Sequence, residues 1–376
     1  MTTHLFRHLL QACVLTALTT ASLVAAGAQA GDEPGSAAAP AASVPMPAAD
    51  LCDIQTAQRV VAVGDVHGAS LAFINILRAA GLVDEQTRWS GGDAILVQLG
   101  DVLDRGPDSR RVLDLLMRLE REATAAGGRV IALLGNHEVM RMTGDLRYVS
   151  AAEYAAFRST EADQYREMYY QVVLERERGR QKDASQPFDE TMFRQEFLER
   201  FALGFVEMQI AFDPTSTYGR WLRGHAAMAK INGVAFVHAG VHEGLVDLGC
   251  AGINARVQAE LADPPRVDDP AGARTLIAGP DGPLWYGGLV DPASPMGDGD
   301  VAALLERLAA RVLVVGHIAT ADHRVRTLYG DRIVQIDTGM LGGTVYPGGR
   351  PSALEIHDGT VSAIYTDRRD VLFTLR

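Results

Sequence analysis

The sequence predicts an α/β fold, and three observations predict it. Short apolar runs rich in β-branched residues recur from Arg59 onward, with glycine loops and helical stretches between them. The runs are apolar nearly throughout rather than alternating, which is the pattern of strands covered on both faces. Each run ends in a polar residue able to bind a metal or a phosphate, and α/β sheets gather their ligands at the carboxyl ends of strands.

Taken in chain order, the first element is not part of the fold. Residues 1–30 read as a secretory signal: Arg7 gives a positive start, an apolar run follows from Leu9 to Ala26, and Ala28-Gln29-Ala30 supplies a small-x-small cleavage site. A membrane anchor is the competing reading. The threonines in the run and the lack of a following Lys/Arg cluster argue against it. Residues 31–49 are rich in Ala, Pro and Ser without hydrophobic period, a flexible tether to a domain spanning 50–376. The mature chain is expected outside the cytoplasm, periplasmic or secreted, with no stable insertion in the membrane. Cys52 and Cys250 remain after cleavage and can pair in an oxidising compartment, although their distance cannot be read from spacing.

Five runs are the expected strands. Val60-Val61-Ala62-Val63 leads into Gly64-Asp65-Val66-His67-Gly68, and Ala94-Ile95-Leu96-Val97-Gln98-Leu99 into Gly100-Asp101. Val130-Ile131-Ala132-Leu133-Leu134 leads into Gly135-Asn136-His137-Glu138. Val234-Ala235-Phe236-Val237 ends at His238, and Val312-Leu313-Val314-Val315 ends at Gly316-His317. Between 151 and 223 the pattern changes. Tyr154, Phe157, Tyr165, Tyr169, Val173, Phe193, Phe197, Phe201 and Phe205 recur at helical spacing, predicting a helical insertion. Its aromatics form either a core or a lid or partner-docking face beside the site, and residues 178–183 read as a solvated hinge.

Composition limits the function. The chain of 376 residues is 47% hydrophobic, too apolar to be disordered over its length. With 35 basic against 47 acidic side chains it carries a net charge of −12, which argues against nucleic-acid binding.

The strand-end residues suit a metal centre. Asp65 and His67 stand two apart on one turn, and Asp101 can bridge two cations through its two oxygens. Asn136 offers a carbonyl oxygen, and His238 and His317 offer imidazole nitrogens. Oxygen and nitrogen donors without sulfur suit two divalent ions of the Mn, Fe or Zn type, with Mn favoured. Two such ions ~3.5–4 Å apart clamp a phosphate and generate hydroxide near neutral pH, the chemistry of phosphoester hydrolysis. Arg105 presents a planar fork of donors suited to phosphate oxygens. His137 is a candidate acid for the leaving oxygen, with Asp104 the candidate carboxylate that orients it. His225 precedes a strand and competes with His238 for the ligand role, but His238 lies directly after its apolar run. His242, His323 and His357 read as loop or surface residues. Asp337 reads either as a carboxylate orienting a metal-bound histidine or as a turn residue.

These motifs identify a family. Gly64-Asp65-Val66-His67-Gly68, Gly100-Asp101-Val102-Leu103-Asp104-Arg105-Gly106 and Gly135-Asn136-His137-Glu138, in this order, resemble the signature of the PPP-type phosphoprotein phosphatases within the calcineurin-like metallophosphoesterases. The stretch Thr143-Gly144-Asp145-Leu146-Arg147-Tyr148-Val149, with Pro283-Leu284-Trp285-Tyr286 and Ile336-Asp337-Thr338-Gly339-Met340, is similar to the bacterial Shewanella-like branch. The likeness runs from about Gln58 to Gly343. It implies a two-sheet β-sandwich flanked by helices, with one ion on Asp65, His67 and Asp101 and a second on Asp101, Asn136, His238 and His317. It also implies Arg105 on phosphate and His137 with Asp104 as the acid pair. One departure stands out: where relatives carry a further phosphate-facing arginine, just after Trp285-Tyr286, this chain has Gly287-Gly288. Either Arg141, Arg147 or Arg223 replaces that charge, or the phosphate site is weaker.

The expected activity is hydrolysis of phosphomonoesters, with phosphoproteins, phosphotyrosine among them, as the favoured substrates. The alternative keeps the metals but takes nucleotides or dinucleoside polyphosphates. A binding protein with a vestigial site is a third reading, and the complete ligand set argues against it.

Overall fold

The computed structural model describes residues 48–181, 188–264, 272 and 274–375. The signal segment and nearly all of the Ala/Pro-rich tether lie outside the described residues. The chain divides into two compact units, a larger one of Ala42–Ala156 with Ala211–Arg376 and a smaller one containing Phe157–Ile210.

The larger unit carries two mixed sheets. In chain order its strands are β1 (Val60–Val63), β2 (Ile95–Gln98), β3 (Arg129–Ala132), β4 (Met228–Ile231), β5 (Val234–Val237), β6 (Val312–Val315), β7 (Arg326–Leu328), β8 (Ile333–Gln335), β9 (Ser352–His357), β10 (Thr360–Tyr365) and β11 (Arg369–Thr374). One sheet has the order β11-β10-β9-β1-β2-β3 and the other β4-β5-β6-β8-β7. The trios β1-β2-β3 and β5-β6-β8 are parallel, so each sheet delivers several strand ends to one edge.

All five expected strands form, and their double burial has the expected cause. Val234 and Phe236 join a core with Val60, Ala62, Ile95, Val97, Val312 and Val314, drawn from both sheets. The alternate residues Ala235, Val237, Leu313 and Val315 face outward onto the helices Gly249–Ala262 and Asp298–Arg307, through Ile253, Val257, Leu261, Val301, Leu304 and Leu305. Strand side chains alternate between faces, so apolar cover on both sides demands an uninterrupted apolar run. Phe236 is wholly buried, and truncation of such a residue costs ~3–5 kcal/mol.

Strands β9 to β11 extend the first sheet, with β9 antiparallel to β1. They are not among the five runs expected as strands. The turn joining β9 to β10 places Asp358 and Gly359 at φ 49° and 74°, the positive pair a tight hairpin requires, and the Asp-Gly dipeptide was its signal.

The stretch from 151 to 223 is helical, as expected: Ala151–Ala156, Ala162–Gln181, Glu190–Arg200, Phe205–Ala211 and Thr217–Arg223. In the smaller unit Tyr170, Leu174 and Phe197 form a buried cluster joined by Tyr169, Val173, Phe193 and Phe201, so these aromatics make a core of their own. The expected hinge is different. Residues 178–181 continue the helix Ala162–Gln181, where Arg178 pairs with Glu190, and 182–183 lie outside the described residues. Among the described residues no helix is long and apolar enough to cross a membrane.

Cys52 and Cys250 form a disulfide with Cα atoms 5.6 Å apart, joining positions 198 residues apart. Closing so long a loop removes much freedom from the unfolded chain. The double variant Cys52→Ser/Cys250→Ser is expected to lose ~2–5 kcal/mol in denaturant unfolding, with bound metal unchanged. Equal stability of the two proteins would mean that the link contributes nothing.

Candidate metal centre and active site

The strand-end loops are stacked on one another by backbone hydrogen bonds. Val66 and His67 both donate their N–H groups to the Asp101 carbonyl at 2.9 Å, and Gly68 donates to Val102 at 2.9 Å. Beneath them lies the Glu138 carboxylate, on the third residue of helix Asn136–Thr143 and 1% exposed. It accepts four backbone N–H groups: Asp101 at 2.7 Å, Gly135 at 2.8 Å, Val102 at 2.9 Å and Leu103 at 3.2 Å. Burial and the Asp101 charge raise the Glu138 carboxyl above its usual range, and the amides pull it back. Two glycines permit the close approach. A Cβ at Gly135 would overlap the Asp101 carboxylate, and one at Gly316 would overlap that of Asp65.

The second sheet closes the centre. His238 donates Nδ1–H to the Leu99 carbonyl at 3.0 Å, the His317 N–H donates to Asp65 Oδ1 at 3.0 Å, and Gly316 donates to the His238 carbonyl at 2.7 Å. His67 likewise donates Nδ1–H to Leu103 at 2.9 Å. With Nδ1 committed to these carbonyls, Nε2 of each ring faces inward; burial lowers the His238 imidazole, but Asp101 outweighs this and raises the ring above its usual value. His67 Nε2 stands 3.8 Å from Asp65 Oδ2 and 3.7 Å from Asp101 Oδ2. His238 Nε2 stands 3.4 Å from Asp101 Oδ2, 2.9 Å from Asn136 Oδ1 and 3.2 Å from His317 Nδ1. The structure thus brings together all six residues named as ligands, with Asp101 common to both groups.

These inward-facing groups suit a cation. Asp65 Oδ2 is buried with no hydrogen-bond partner. Burial, then the charges of Asp337 and Asp101, push the Asp65 carboxyl well above the usual range. Burial opposes ionisation of Asp101 too, but His238, His137 and His67 outweigh it and hold this carboxyl well below. Burial lowers His67 to about 4 and, with His238 nearby, His317 to about 3, so both rings stand neutral as metal ligands must. His67, Asp101, Asp104, Arg105 and His317 all sit at positive φ, between 47° and 69°, at ~1–3 kcal/mol of strain each. The oxygen and nitrogen donors fit divalent ions.

The other predicted site residues fall beside this centre. His137 Nδ1 lies 2.7 Å from Asp104 Oδ2, and its Nε2 lies 3.8 Å from Asp101 Oδ2. Burial lowers the His137 imidazole, yet Asp101 and Asp104 more than compensate and raise it above its usual value. The Arg105 guanidinium lies between two tyrosines, its Cζ 4.7 Å from the Tyr148 ring centre and 5.9 Å from that of Tyr346. Tyr148 also tilts over His137 at 5.1 Å, and Tyr346 stacks on His67 at 6.1 Å.

The candidates for the missing phosphate charge are otherwise engaged. Arg141 is buried against Asp104 and Glu153, Arg147 forks onto Asp145, and Arg223 donates to the Phe212, Gly219 and Met142 carbonyls. At Gly287 a Cβ would meet the end of the Ile318 side chain. His225 is packed edge-on against Trp221, 3.7 Å from Glu120, and is not among the ligands. Asp337 fits the turn reading: Oδ1 accepts from the Gly339 N–H at 2.8 Å, while Oδ2 is buried without a hydrogen-bond partner and its charge helps to raise the Asp65 carboxyl.

The calcineurin-like phosphoesterase family model matches residues 58–321. The chain belongs to this family. This phosphoesterase is 29% identical over 310 residues to Shewanella-like protein phosphatase 2 of Arabidopsis thaliana, covering 80% of this chain and 75% of that protein. It is 26% identical over 309 residues to Shewanella-like protein phosphatase 1 of Plasmodium berghei (strain Anka), covering 81% and 74%. Its fold is similar to that of the cold-active protein-tyrosine phosphatase of a psychrophilic Shewanella sp., with TM-score 0.64 and 22% identity over 86% of this chain and 82% of that one. The two-sheet architecture and the divalent-metal, phosphatase character implied by the motifs are thereby established for this phosphoesterase.

The Gly135-Asn136-His137-Glu138 motif by itself assigns Glu138 no role. Its signal was the acid at the third position of a predicted helix, where a carboxylate meets free amides. Tyr148 lies in the Thr143–Val149 stretch, which assigns it no role, and nothing in the sequence points to Tyr346. We predict that Asp101→Asn loses bound metal, read by elemental analysis, while the metal-free protein melts near the wild-type temperature. Glu138→Gln should lower the melting of the metal-free protein as well, by ~1–3 kcal/mol, because an amide leaves buried N–H groups unpaired. Full metal retention in Asp101→Asn would remove that carboxylate from the centre.

Proposed function

We propose that this phosphoesterase is an exported phosphoprotein phosphatase with a dinuclear Mn centre, acting on phosphomonoesters that include phosphotyrosine. One observation carries the reading: two groups of buried or half-buried side chains able to hold an ion, His67–Asp101–His137 and Asp101–His238–His317, share Asp101, and within the first His137 is turned by its bond to Asp104. Asp65, His67 and Asp101 would hold one ion, and Asp101, Asn136, His238 and His317 the other. When bound, the ions neutralise phosphate charge and make water acidic near neutral pH.

The remaining chemistry belongs to the chain. Arg105 extends its donors to the phosphate oxygens and is kept in place by the rings of Tyr148 and Tyr346. As water oxygen adds to phosphorus, the bond to the leaving oxygen breaks and its electron pair stays on that oxygen. His137 donates the Nε2 proton to it while Asp104 holds Nδ1, and the proton released by the attacking water afterwards replaces the one given up. The aromatic rim around Arg105 favours an aryl ester on a protein surface, and the relatives named as protein phosphatases support a protein substrate. Export is supported by the signal pattern at residues 1–30 and by the Cys52–Cys250 disulfide, which persists in oxidising compartments.

Hydrolysis of a phosphopeptide panel and a nucleotide panel with added Mn tests the substrate class. Faster turnover of phosphopeptides is expected, and a preference for nucleotides would overturn the reading. His137→Asn should cost ~10²–10⁴-fold on alkyl and peptide phosphates but much less on an activated aryl phosphate, with metal retained. Equal losses on both, or loss of metal, would make His137 a ligand or scaffold. Mass spectrometry of protein from the extracytoplasmic fraction should find a terminus near Gly31, and an intact Met1 there would indicate an anchor.

A further inference from the structure

Arg141 and Glu153 take no part in the steps above, yet both are buried beside the carboxylate that holds the proposed acid. Arg141 is 3% exposed and Glu153 0%. His137 and Arg141 stand four residues apart on helix Asn136–Thr143 and therefore share a face. That face meets Asp104 from above. Asp104 Oδ2 accepts from His137 Nδ1 at 2.7 Å, and Oδ1 accepts from Arg141 Nη2. The same Nη2 donates to Glu153 Oε1 at 2.8 Å.

Glu153 is itself fixed to the site loop. Its N–H donates to Ser150 Oγ at 3.1 Å, and Ser150 donates to the Gly106 carbonyl at 3.0 Å. Nearby, the Arg105 N–H donates to the Tyr148 carbonyl at 2.9 Å. The segment from Tyr148 to Glu153 thus straps the loop carrying Asp104 and Arg105. The Phe212 ring covers the Arg141 guanidinium, its centre 4.9 Å from Cζ.

A carboxylate held at one oxygen can turn about its Cβ–Cγ bond, whereas one held at both cannot. A buried guanidinium needs acceptors for its N–H groups as well as a compensating charge. Asp104 supplies the charge, and Glu153, whose carboxyl is raised above its usual range by burial, gives Nη2 a second acceptor in Oε1 that keeps Arg141 from pulling Asp104 away from the imidazole.

We propose that Arg141, anchored by Glu153, is a positioning residue that locks the Asp104 carboxylate and thereby the direction in which His137 Nε2 faces the leaving oxygen. The proposal rests on the reading of His137 as the acid. It also takes Arg141 out of phosphate binding, so the charge absent at Gly287 is not restored from that side.

The test is kcat and KM across aryl phosphates of graded leaving-group pKa plus one alkyl phosphate. It uses the Mn-loaded full-length protein and its Arg141→Gln, Arg141→Lys, Glu153→Gln and His137→Asn variants. Bound metal, melting temperature and inhibition by inorganic phosphate are measured alongside. Arg141→Gln and Glu153→Gln should steepen the dependence of kcat on leaving-group pKa, costing ~10–100-fold on the alkyl ester and only a few-fold on the most activated one. KM and phosphate inhibition should stay within about threefold, and Arg141→Lys should restore part of the loss. A uniform loss across the series would overturn the proposal and make the pair structural. Phosphate inhibition weakened tenfold or more would overturn it and make Arg141 a phosphate ligand. If Arg141→Gln does not fold, Arg141→Lys and Glu153→Gln carry the same test. No steepening in His137→Asn would refute the acid itself, and the positioning role with it. Steepening in His137→Asn alone would refute only the role of Arg141.

Discussion

The Glu138 carboxylate is the contact on which the rest of the centre depends. It sits wholly buried and accepts backbone N–H groups from Asp101, Val102, Leu103 and Gly135, so one side chain joins the loop after β2 to the start of the helix after β3. The loop after β1 then rides on the Asp101 and Val102 carbonyls, and Asp101 Oδ1 accepts the His137 N–H at 3.0 Å. Hydrogen bonds to an ionised acceptor are stronger than neutral ones, and burial removes the competing water. Side chains from three separate loops therefore inherit their positions from a single charged group that faces none of the chemistry.

The centre is strained and electrostatically crowded. Five of its residues take left-handed backbone conformations, Asp65 keeps a buried oxygen without a partner, and several imidazole and carboxylate acceptors point at one another. None of this lowers the free energy of the chain alone. It is tolerated because the two sheets supply a large apolar core and because a divalent ion converts the repulsion into coordination. Strain of this kind gathers at functional sites, and here it follows the polar ends of the strands while the strands themselves remain regular.

Arginine chemistry sets this phosphoesterase apart from the pattern its motifs imply. Gly287-Gly288 carries no charge, and the nearby arginines are tied to Asp104 and Glu153, to Asp145 and to backbone carbonyls. The rim around Arg105 is instead aromatic, formed by Tyr148 and Tyr346. A half-buried guanidinium flanked by rings is the setting that motivates the proposal of an aryl phosphate substrate.

The strands, the order of the loops and the metal-ligand candidates were legible in the sequence because each depends on local rules. An apolar run covered on both faces looks the same wherever it lies, and Asp65, His67, Asp101, Asn136, His238 and His317 each follow such a run directly or by a turn. The Asp104–His137 pairing was legible through chemistry, since an imidazole acid needs a carboxylate. What the sequence could not decide were contacts between segments distant in the chain. The pairing of Cys52 with Cys250, the burial of Arg141 against Glu153, the placing of Tyr346 beside Arg105 and the exclusion of His225 from the centre each depend on how elements pack. Local periodicity reports which face of a strand or helix is buried. Only the packed chain decides which side chain lies opposite, because that choice is made by the sum of many weak contacts rather than by any one residue.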